Sequence, residues 1–414
     1  MKKKIGKITC FFVLVLFSGL AIANQSVKAE EPQGKEAMPG IMSLLLDDVI
    51  APDPMLYPLP DTGQDKCYNN SAEITCPSDP TDDFYGQDAQ YPRIPPSYTK
   101  LGQDGAKLDD NATHVDEGGD WIMTRDNVTG LIWEIKTAAN KDDTYTWQNA
   151  KAQFIASIND QELGGESDWR LPSRAEIVSI IDKGRFGPAI REEPSLMADG
   201  YGRSDPSVHI FFPNTISFRY WSATEVADNT TNAWRVNFNG GFVYYENKNS
   251  NYHVRAVRGP VQNDYDMVDN NDGTVTDNTT GLTWQKCTFG QTWNESDGSC
   301  TGDPTALTWQ SALAEAAKLN NWRLPNINEL MSLVDDSVSN PAIYEPFRQH
   351  LPPALESPDL DHTLPYWSST TDVRYPGRAW LINFVDGSNN YDGYDGTQGV
   401  KNREFYIRLV RTAQ

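Results

Sequence analysis

The sequence predicts an α+β protein made of two tandem copies of one module, each with two helices and a mostly antiparallel sheet. Three observations support this prediction. A series of short motifs occurs twice in the same order, each series contains apolar residues at helical spacing, and each includes stretches that alternate apolar and polar residues as half-buried strands do. Motifs that keep their order while their intervals vary are the expected product of duplication followed by drift in the loops.

The N-terminal end predicts a secretory signal peptide over residues 1–23. Four lysines precede an apolar run at residues 11–20, and Ala21 and Ala23 provide the small residues that signal peptidase requires. The run is too short to span a bilayer comfortably, and no other stretch approaches about 18 apolar residues. We therefore expect a mature chain without a transmembrane segment, secreted or at the cell surface, with the periplasm as the alternative.

Two segments of different composition precede the repeated part. Residues 24–56 are polar and rich in Pro and Asp, which predicts a linker. Residues 57–104 contain many Pro, Gly, Asp and Tyr residues and one pair of cysteines. They are expected to form a loop-rich lead segment that is stapled by a disulfide and has little core of its own.

The four cysteines beyond the signal peptide form two close pairs, Cys67 with Cys76 and Cys287 with Cys300. Local pairs close small loops easily in an oxidising compartment, so both pairs are predicted to be disulfides. The alternative is a four-thiolate metal site, but the spacing is not that of a Cys-x-x-Cys knuckle.

The formal net charge of the chain is −22, and it becomes more negative when the lysines of the leader are removed. A chain this acidic repels phosphate backbones and anionic lipid surfaces. Nucleic acid is therefore not expected as a partner, and the charge favours solubility in an extracellular setting.

The repeated motifs define module 1 at residues 105–260 and module 2 at residues 261–414. In module 1 they are Asp126–Trp133, Thr146–Ala150, Trp169–Pro172, Tyr220–Ser222, Ala233–Phe238 and Val254–Arg258. In module 2 they are Asp277–Trp284, Thr308–Ala312, Trp322–Pro325, Tyr366–Ser368, Ala379–Phe384 and Ile407–Arg411.

Each module is predicted to open with a hairpin or meander, because Asp272-Gly273 and Thr280-Gly281 are turn signals between short β-type runs. An amphipathic helix follows, with Thr146 as its N-cap. Its apolar face has helical spacing and consists of Trp147, Ala150, Phe154, Ile155 and Ile158.

A second helix is predicted after each W-R-L-P motif. Ser173 with Glu176 forms a capping box in module 1, and Asn326 with Glu329 is its counterpart in module 2. The buried stripes of these helices are Ile177, Ile180 and Ile181 in module 1, and Leu330, Leu333 and Val334 in module 2.

The C-terminal half of each module is predicted to be β. Trp234, Val236 and Phe238 alternate with Arg235 and Asn237, as expected of a strand with one buried face. A final strand closes each module, and helices inserted before a mostly antiparallel sheet make the class α+β.

These motifs together resemble a bacterial family described as domain of unknown function 1566 and named after the C-terminal domain of the Legionella collagen-like adhesin. The resemblance rests on W-Q-x-A, W-R-L-P-x-x-x-E, Y-W-S, A-W-x-x-N-F and a closing (V/I)-R-x-V-R, and it covers both copies. The lead segment, at Gly63–Cys76 and Phe84–Gln87, also resembles the segment often found before such modules.

The resemblance implies a variant of the C-type-lectin-like fold, related to that of the formylglycine-generating enzyme. It also implies an extracellular or surface-attached module, in the best-known case an adhesin that recognises sulfated glycans. This chain has no Gly-X-Y collagen repeats, and its negative charge opposes a polyanionic ligand.

No catalytic residues are predicted. An enzyme of the formylglycine-generating type would need reactive cysteines in its C-terminal part, and the sequence has none after Cys300. The five histidines are scattered and do not recur between the copies, and no H-E-x-x-H, G-x-S-x-G or phosphate-binding glycine loop occurs.

The recurring tryptophans are expected to pack in the core, with sugar stacking as the alternative. They are Trp133, Trp147, Trp169, Trp221 and Trp234 in module 1, and Trp284, Trp309, Trp322, Trp367 and Trp380 in module 2. The recurring arginines are Arg170, Arg255, Arg323 and Arg408. They are expected to pair with Glu176 and Glu329, and a shared ligand-binding role is the alternative.

The predicted ligand-binding residues lie in two loop regions that differ between the copies, 239–252 and 385–403. Flat rings stack on the C–H faces of sugars, while Asn and Asp pair with sugar hydroxyls. The candidates are Asn239, Phe242, Tyr244, Tyr245, Asn251 and Tyr252 in module 1, and Asp386, Asn389, Tyr391, Asp392, Tyr394 and Asp395 in module 2. Ca²⁺ is a further candidate for the oxygens of loop 386–396, although the spacing is not that of an EF-hand and the lectin motifs E-P-N and W-N-D are absent.

The sequence thus predicts an exported, non-enzymatic binding or adhesion protein with lectin-like recognition of a glycan or a protein surface. A structural spacer of a surface assembly is the first alternative. An enzyme of unknown type on a formylglycine-generating-enzyme-like fold is the second.

Overall fold

A computed structural model describes residues 58–190, 211–261, 265–353, 363–389 and 399–413. The predicted signal peptide and linker lie outside these described residues. The lead segment contributes a short antiparallel hairpin, β1 (Cys67–Tyr68) with β2 (Glu73–Ile74). None of the helices in the described ranges is both long and apolar enough to cross a membrane.

Module 1 contains two antiparallel sheets. Its strands are β3 (Tyr98–Leu101), β4 (Met123–Asp126), β5 (Ile132–Glu134), β6 (Arg219–Val226), β7 (Asn229–Asn237), β8 (Phe242–Asn247) and β9 (Val257–Arg258). The first sheet has the order β3-β4-β5-β9, so the closing strand returns to the opening meander, and the second has the order β6-β7-β8. Strand β3 falls inside the predicted lead segment, because its residues pair with β4 from Tyr98 onward.

Module 2 repeats this plan with shorter strands. They are β10 (Met267–Asp269), β11 (Thr274–Asp277), β12 (Leu282–Gln285), β13 (Thr292–Asn294), β14 (Ser299–Thr301), β15 (Pro365–Thr371), β16 (Ala379–Asn383) and β17 (Val410–Thr412). The opening sheet has the order β10-β11-β12-β17, and β15 pairs with β16. Strands β13 and β14 form an additional hairpin that module 1 lacks among its described residues. The predicted α+β class is confirmed.

The helices begin where the sequence predicts. In module 1 the first helix consists of α1 (Trp147–Asn149), a π-helical stretch (Ala150–Ile155) and α2 (Ala156–Asp160), followed by α3 (Arg174–Ser179). Module 2 has α4 (Trp309–Ala317) and α5 (Ile327–Met331). Short 3-10 turns occur at Asp88–Gln90, Val115–Glu117, Leu163–Gly165 and Arg348–His350. The predicted cap and both capping boxes are present, and the π-helical stretch was not predicted.

Nine of the ten recurring tryptophans are buried, which confirms their predicted role in packing. Trp322 is the exception: it is only partly buried, with the Arg411 guanidinium 4.7 Å above its ring. Strand β7 also differs from the expectation of one buried face, because Arg235 is 3% exposed.

The predicted pairing of the recurring arginines with Glu176 and Glu329 is correct for two of the four. Arg170 and Arg323 form bidentate bonds of 2.6–2.7 Å with Glu176 and Glu329 as predicted. Arg255 and Arg408 do not pair with these glutamates. Arg255 donates to the Glu134 carbonyl and the Thr215 hydroxyl, and Arg408 donates to the carbonyls of Gln285 and Lys286. These two buried cations therefore join the end of the opening meander, at β5 or β12, to the segment just before the closing strand.

The predicted disulfides are both present, Cys67–Cys76 and Cys287–Cys300, with Cα–Cα distances of 5.0 and 5.6 Å. Disulfides of this kind are typical of proteins that fold in an oxidising compartment.

The lead segment packs on module 2, although it precedes module 1 in the sequence. The Gln64 carboxamide donates to the Thr371 carbonyl at 2.8 Å and accepts from the Thr371 amide at 2.9 Å, as a paired strand residue would. The buried Asp88 carboxylate accepts from the hydroxyls of Thr62 and Thr370, and burial raises the pKa of Asp88 to about 7. The lead segment also contacts module 1, where the amide of Lys183 donates to the Thr62 carbonyl at 2.7 Å.

The hydrophobic core has three parts. One cluster belongs to module 1 and includes Trp147, Phe154 and Trp221. A second belongs to module 2 and includes Trp309 and Trp367. The third contains residues of both modules, so the modules share part of their core.

Candidate functional site

The two modules meet through equivalent elements. The second helices, α3 and α5, both line one cavity between the modules. Aligning the W-R-L-P motifs gives three pairs of equivalent positions in its wall: Ala175 with Asn328, Val178 with Met331, and Ser179 with Ser332. Similar surfaces of the two modules therefore face each other.

One hydrogen bond joins equivalent residues of the two modules. The Val243 amide donates to the Asn389 Oδ1 atom at 2.7 Å, and these two residues occupy the same position relative to Trp234 and Trp380. Contacts also recur in exchanged form, because Lys183 of module 1 lies on Trp380 of module 2 and the equivalent Asp336 of module 2 lies near Trp234 of module 1. Such reciprocal contacts are those of an approximately twofold interface.

At one end of this interface the space over Trp380 is filled. The Lys183 ammonium lies 3.8 Å from the Trp380 ring centroid and donates to the Gly241 carbonyl at 2.6 Å. Phe242 packs on the same ring at 4.7 Å, and the Arg374 guanidinium stacks on Phe242 at 4.0 Å. Burial lowers the pKa of Lys183 to about 7. This end is closed by packing.

At the other end, around the equivalent Trp234, the described residues leave a cleft of about 470 Å³. Tyr244 and Tyr245 stack in its wall with their centroids 4.5 Å apart and their planes 15° from parallel. Trp234 meets Tyr245 edge-on at 5.5 Å. Both tyrosines are half-buried, so module 1 contributes a partly accessible aromatic wall to the cleft.

The facing wall comes from module 2 and is polar. It includes Asp335, Asp336 and Asp386 together with Asn340 and Asn383. Carboxylate and carboxamide oxygens opposite aromatic faces provide the two kinds of contact that a sugar ring uses, stacking and paired hydrogen bonds.

Arg174 links the two walls. This residue of α3 contacts Asp336 of module 2 at 2.7 Å, donates to the Gly387 carbonyl at 2.9 Å, and stacks on Trp234 at 4.5 Å. Burial raises the pKa of Asp336, and the nearby Arg174 opposes this shift. Burial likewise raises the pKa of Asp386, whose carboxylate accepts from the amide and hydroxyl of Ser388.

The structure brings three of the predicted ligand residues together in this cleft: Tyr244, Tyr245 and Asp386. Residues of the two variable regions thus line one composite cleft, whereas the sequence suggested a separate loop site in each module. Asn239 and Asn251 are exposed but do not line the cleft. Tyr391, Asp392, Tyr394 and Asp395 lie outside the described residues.

Three other predicted ligand residues are occupied by packing. Phe242 is 8% exposed and packs against Trp380. Asn389 is 1% exposed and hydrogen-bonded to Val243 across the interface. Tyr252 is 7% exposed and packs on Trp221 at 4.9 Å. Phe242 and Asn389 hold the modules together, Tyr252 packs within module 1, and none of the three presents a free face to a ligand.

The sequence interpretation missed Trp234, Asp336 and Arg174 as components of the site. The available signal was a difference inside a recurring motif: Arg174 corresponds to Ile327, and Asp336 corresponds to Lys183. A charge that is missing or reversed at the aligned position of the other module indicates an asymmetric contact between the two modules.

Residues 390–398 of the predicted calcium-binding loop lie outside the described ranges. Across the described part of the chain, no group of three or more His, Cys, Asp and Glu side chains is arranged to hold a metal ion.

Comparison with known families gives one match that occurs twice. The model of the Lcl C-terminal domain matches residues 122–258 and again residues 273–411. The two matches fall on the two modules and confirm the tandem duplication. No curated protein sequence matches the chain.

Proposed function

The chain belongs to the Lcl C-terminal domain family through both of its modules, and from this premise we propose that it is an exported binding protein that recognises a glycan in the cleft between them. Recognition is proposed without catalysis, and adhesion to a glycan-bearing surface is the proposed biological role. The two disulfides support folding outside the cytoplasm.

The observation that supports this proposal best is the aromatic wall of the cleft. Tyr244 and Tyr245 stack face to face and remain half-buried. Rings that serve only as packing are covered on both sides, as Trp380 is by Lys183 and Phe242 at the closed end. A partly accessible aromatic pair opposite carboxylates and carboxamides offers stacking to a sugar and acceptors to its hydroxyls.

The volume and charge of the cleft narrow the kind of glycan. About 470 Å³ lies within the usual range of small-ligand sites, 300–1,000 Å³. The described lining contains four carboxylates, Asp228, Asp335, Asp336 and Asp386. Asp335 and Asp336 are paired with Arg348 and Arg174, which lie just behind the lining, so the cleft keeps a negative charge from Asp228 and Asp386. Neutral sugars are therefore expected to bind better than sulfated or uronic-acid sugars.

The test is a glycan array probed with the full mature chain, followed by titration of the strongest neutral glycan. The intact chain is used because the modules share part of their core. The double variant Tyr244→Ala/Tyr245→Ala should weaken binding at least tenfold, since stacking on an aromatic ring and the area it buries are lost together.

Tyr375→Ala is the matched control, because Tyr375 is 54% exposed and lies outside the cleft. It should leave affinity unchanged. Equal affinity of the double variant and the intact chain would place the glycan site elsewhere. Failure to bind any glycan on the array would instead favour the role of a structural spacer.

A further inference from the structure

A second cavity lies beside the cleft, between α3 and α5. Its volume is about 780 Å³, and the lead segment closes one side through residues 58–60. The apolar part of its wall comes from both modules and consists of Leu59, Val178, Val226, Met331, Val334 and the rings of Tyr265 and Tyr344. The cavity shares wall residues with the cleft, including Val226 and Asp335, but it lacks the stacked tyrosines.

Asn328 contributes a polar atom to this wall that has no hydrogen-bond partner among the described residues. Asn328 is 6% exposed and donates from Nδ2 to the Pro60 carbonyl at 3.2 Å. Its Oδ1 atom is buried and accepts no hydrogen bond. A buried acceptor without a donor is unfavourable, so a ligand that supplies an N–H or O–H at this point binds more tightly than one that does not.

The charges around the cavity are already paired. Glu225 contacts Lys248 at 2.9 Å, Asp335 contacts Arg348 at 3.2 Å, and Asp336 contacts Arg174 at 2.7 Å. None of these pairs calls for a charged ligand. The other buried atoms of this wall without a hydrogen bond in the described part of the chain, Arg174 Nε and Asp336 Oδ1, belong to one ion pair. The apolar surface and the acceptor of Asn328 are therefore the features that a neutral ligand can match.

We propose that this cavity is a second binding site, for a small neutral ligand that is mostly apolar and carries one N–H or O–H donor. The apolar body of the ligand fills the space between α3 and α5, and its donor bonds to the Asn328 Oδ1 atom. The equivalent position in module 1 is Ala175, whose side chain has no acceptor. The ligand donor therefore bonds on the module 2 side, and the ligand binds in one orientation.

The experiment uses N-phenyl-1-naphthylamine, a neutral and apolar probe with a single N–H, whose fluorescence rises on entry into an apolar site. The full mature chain should bind one equivalent saturably. Ala175→Trp places a large ring in the cavity from a half-buried helix position and should weaken binding at least tenfold. Ala314→Trp, an exposed alanine of α4, is the matched control and should leave binding unchanged.

The role of the acceptor is tested with Asn328→Leu and with the N-methylated probe, which has no N–H. The intact chain should bind the N–H probe about tenfold more tightly than the methylated one, and Asn328→Leu should remove this preference. If Asn328→Leu does not fold, the affinities of the intact chain for the two probes still test whether the N–H group contributes to binding.

Absence of saturable probe binding, or unchanged binding in Ala175→Trp, would overturn the proposal, and equal affinity for the two probes would refute the role of Asn328. The stacked tyrosines of the glycan cleft do not line this cavity, so Tyr244→Ala/Tyr245→Ala should bind the probe like the intact chain. Loss of probe binding in that variant would show that the probe occupies the cleft.

Discussion

Two buried lysines, Lys183 and Lys401, form no ion pair with a carboxylate among the described residues. Lys401 is 1% exposed, lies 3.7 Å from the Trp309 ring centroid, and donates to the Asn69 carbonyl and the Thr371 hydroxyl at 2.9 Å each. Burial lowers the pKa of Lys401 to about 6 from 10.5. Lys401 joins the lead segment to module 2, so its protonation affects how firmly the lead segment is held.

The pKa of Lys401 predicts how stability depends on pH. Between about pH 6 and 10.5 the unfolded chain binds a proton at this lysine that the folded chain does not. The free energy of unfolding should therefore rise with pH across this window, by about 1.4 kcal/mol per pH unit from this one group. Lys401→Met should remove that contribution, which urea unfolding at pH 7, 8 and 9 would measure.

Lys318→Met is the control for this prediction, because the Lys318 side chain is 65% exposed. It should show the pH dependence of the intact chain. Parallel pH profiles for Lys401→Met and the intact chain would mean that Lys401 stays protonated in the fold.

At the level of single residues, sequence reasoning succeeded where partners are close in sequence. Arg170 reaches Glu176 six residues away on the turn that opens α3, and this pairing was predicted. Arg255 bonds to Glu134, which is 121 residues away. Such a contact depends on how the closing strand returns to the meander, and the W-R-L-P and V-R-x-V-R motifs contain no information about that path.

Among the elements, the turn after β16 is constrained more tightly than its sequence suggests. Gly387 has φ +80°, and a Cβ atom there would lie 2.5 Å from Val334 Cγ1 and 3.2 Å from Arg174 Nη1. Its module 1 equivalent, Gly241, has φ +81° and would bring a Cβ atom within 2.6 Å of Ile181 Cγ2. In both copies this glycine allows the turn to pack closely against the residues that follow the second helix.

Gly387→Ala should therefore destabilise the protein by about 1–3 kcal/mol more than Gly165→Ala, measured by chemical denaturation. Both glycines have positive φ, so both substitutions carry a similar backbone cost. A Cβ atom at Gly165 meets nothing within 4 Å, whereas one at Gly387 overpacks the module interface. Equal losses of stability in the two variants would show that the turn after β16 accommodates the Cβ atom without disturbing the interface.

The elements themselves were largely predictable because their signals are local. Helix caps depend on side chains within three residues, and Ser173 with Glu176 and Asn326 with Glu329 behave as predicted. The docking of the lead segment on module 2 was not predictable, because it relies on Gln64 pairing with Thr371, 307 residues away. The composite cleft was missed for the same reason: its walls come from loops of different modules.

On the scale of the whole molecule, the shared core determines how the modules behave together. Ile177, Ile181 and Phe242 of module 1 belong to the same buried cluster as Leu330 and Trp380 of module 2. Separating the modules would expose these side chains, at about 25 cal/mol for each Å² of apolar surface. The duplicated family domain therefore forms one structural unit over residues 52–414, and the cleft is present only while both modules are folded and docked.

This architecture predicts that the modules unfold together. Phe154 is 5% exposed and lies in the cluster that belongs to module 1 alone, so Phe154→Ala should cost about 3–5 kcal/mol there. If unfolding is cooperative, the slowest-exchanging amides of β15 and β16 in module 2 should lose the same free energy in native-state hydrogen exchange as those of β7. Leu313→Ala, in the cluster of module 2, should have the converse effect on β7. If protection from hydrogen exchange falls only in the mutated module, each module is a separate folding unit. The cleft would then open and close as the docked modules come apart.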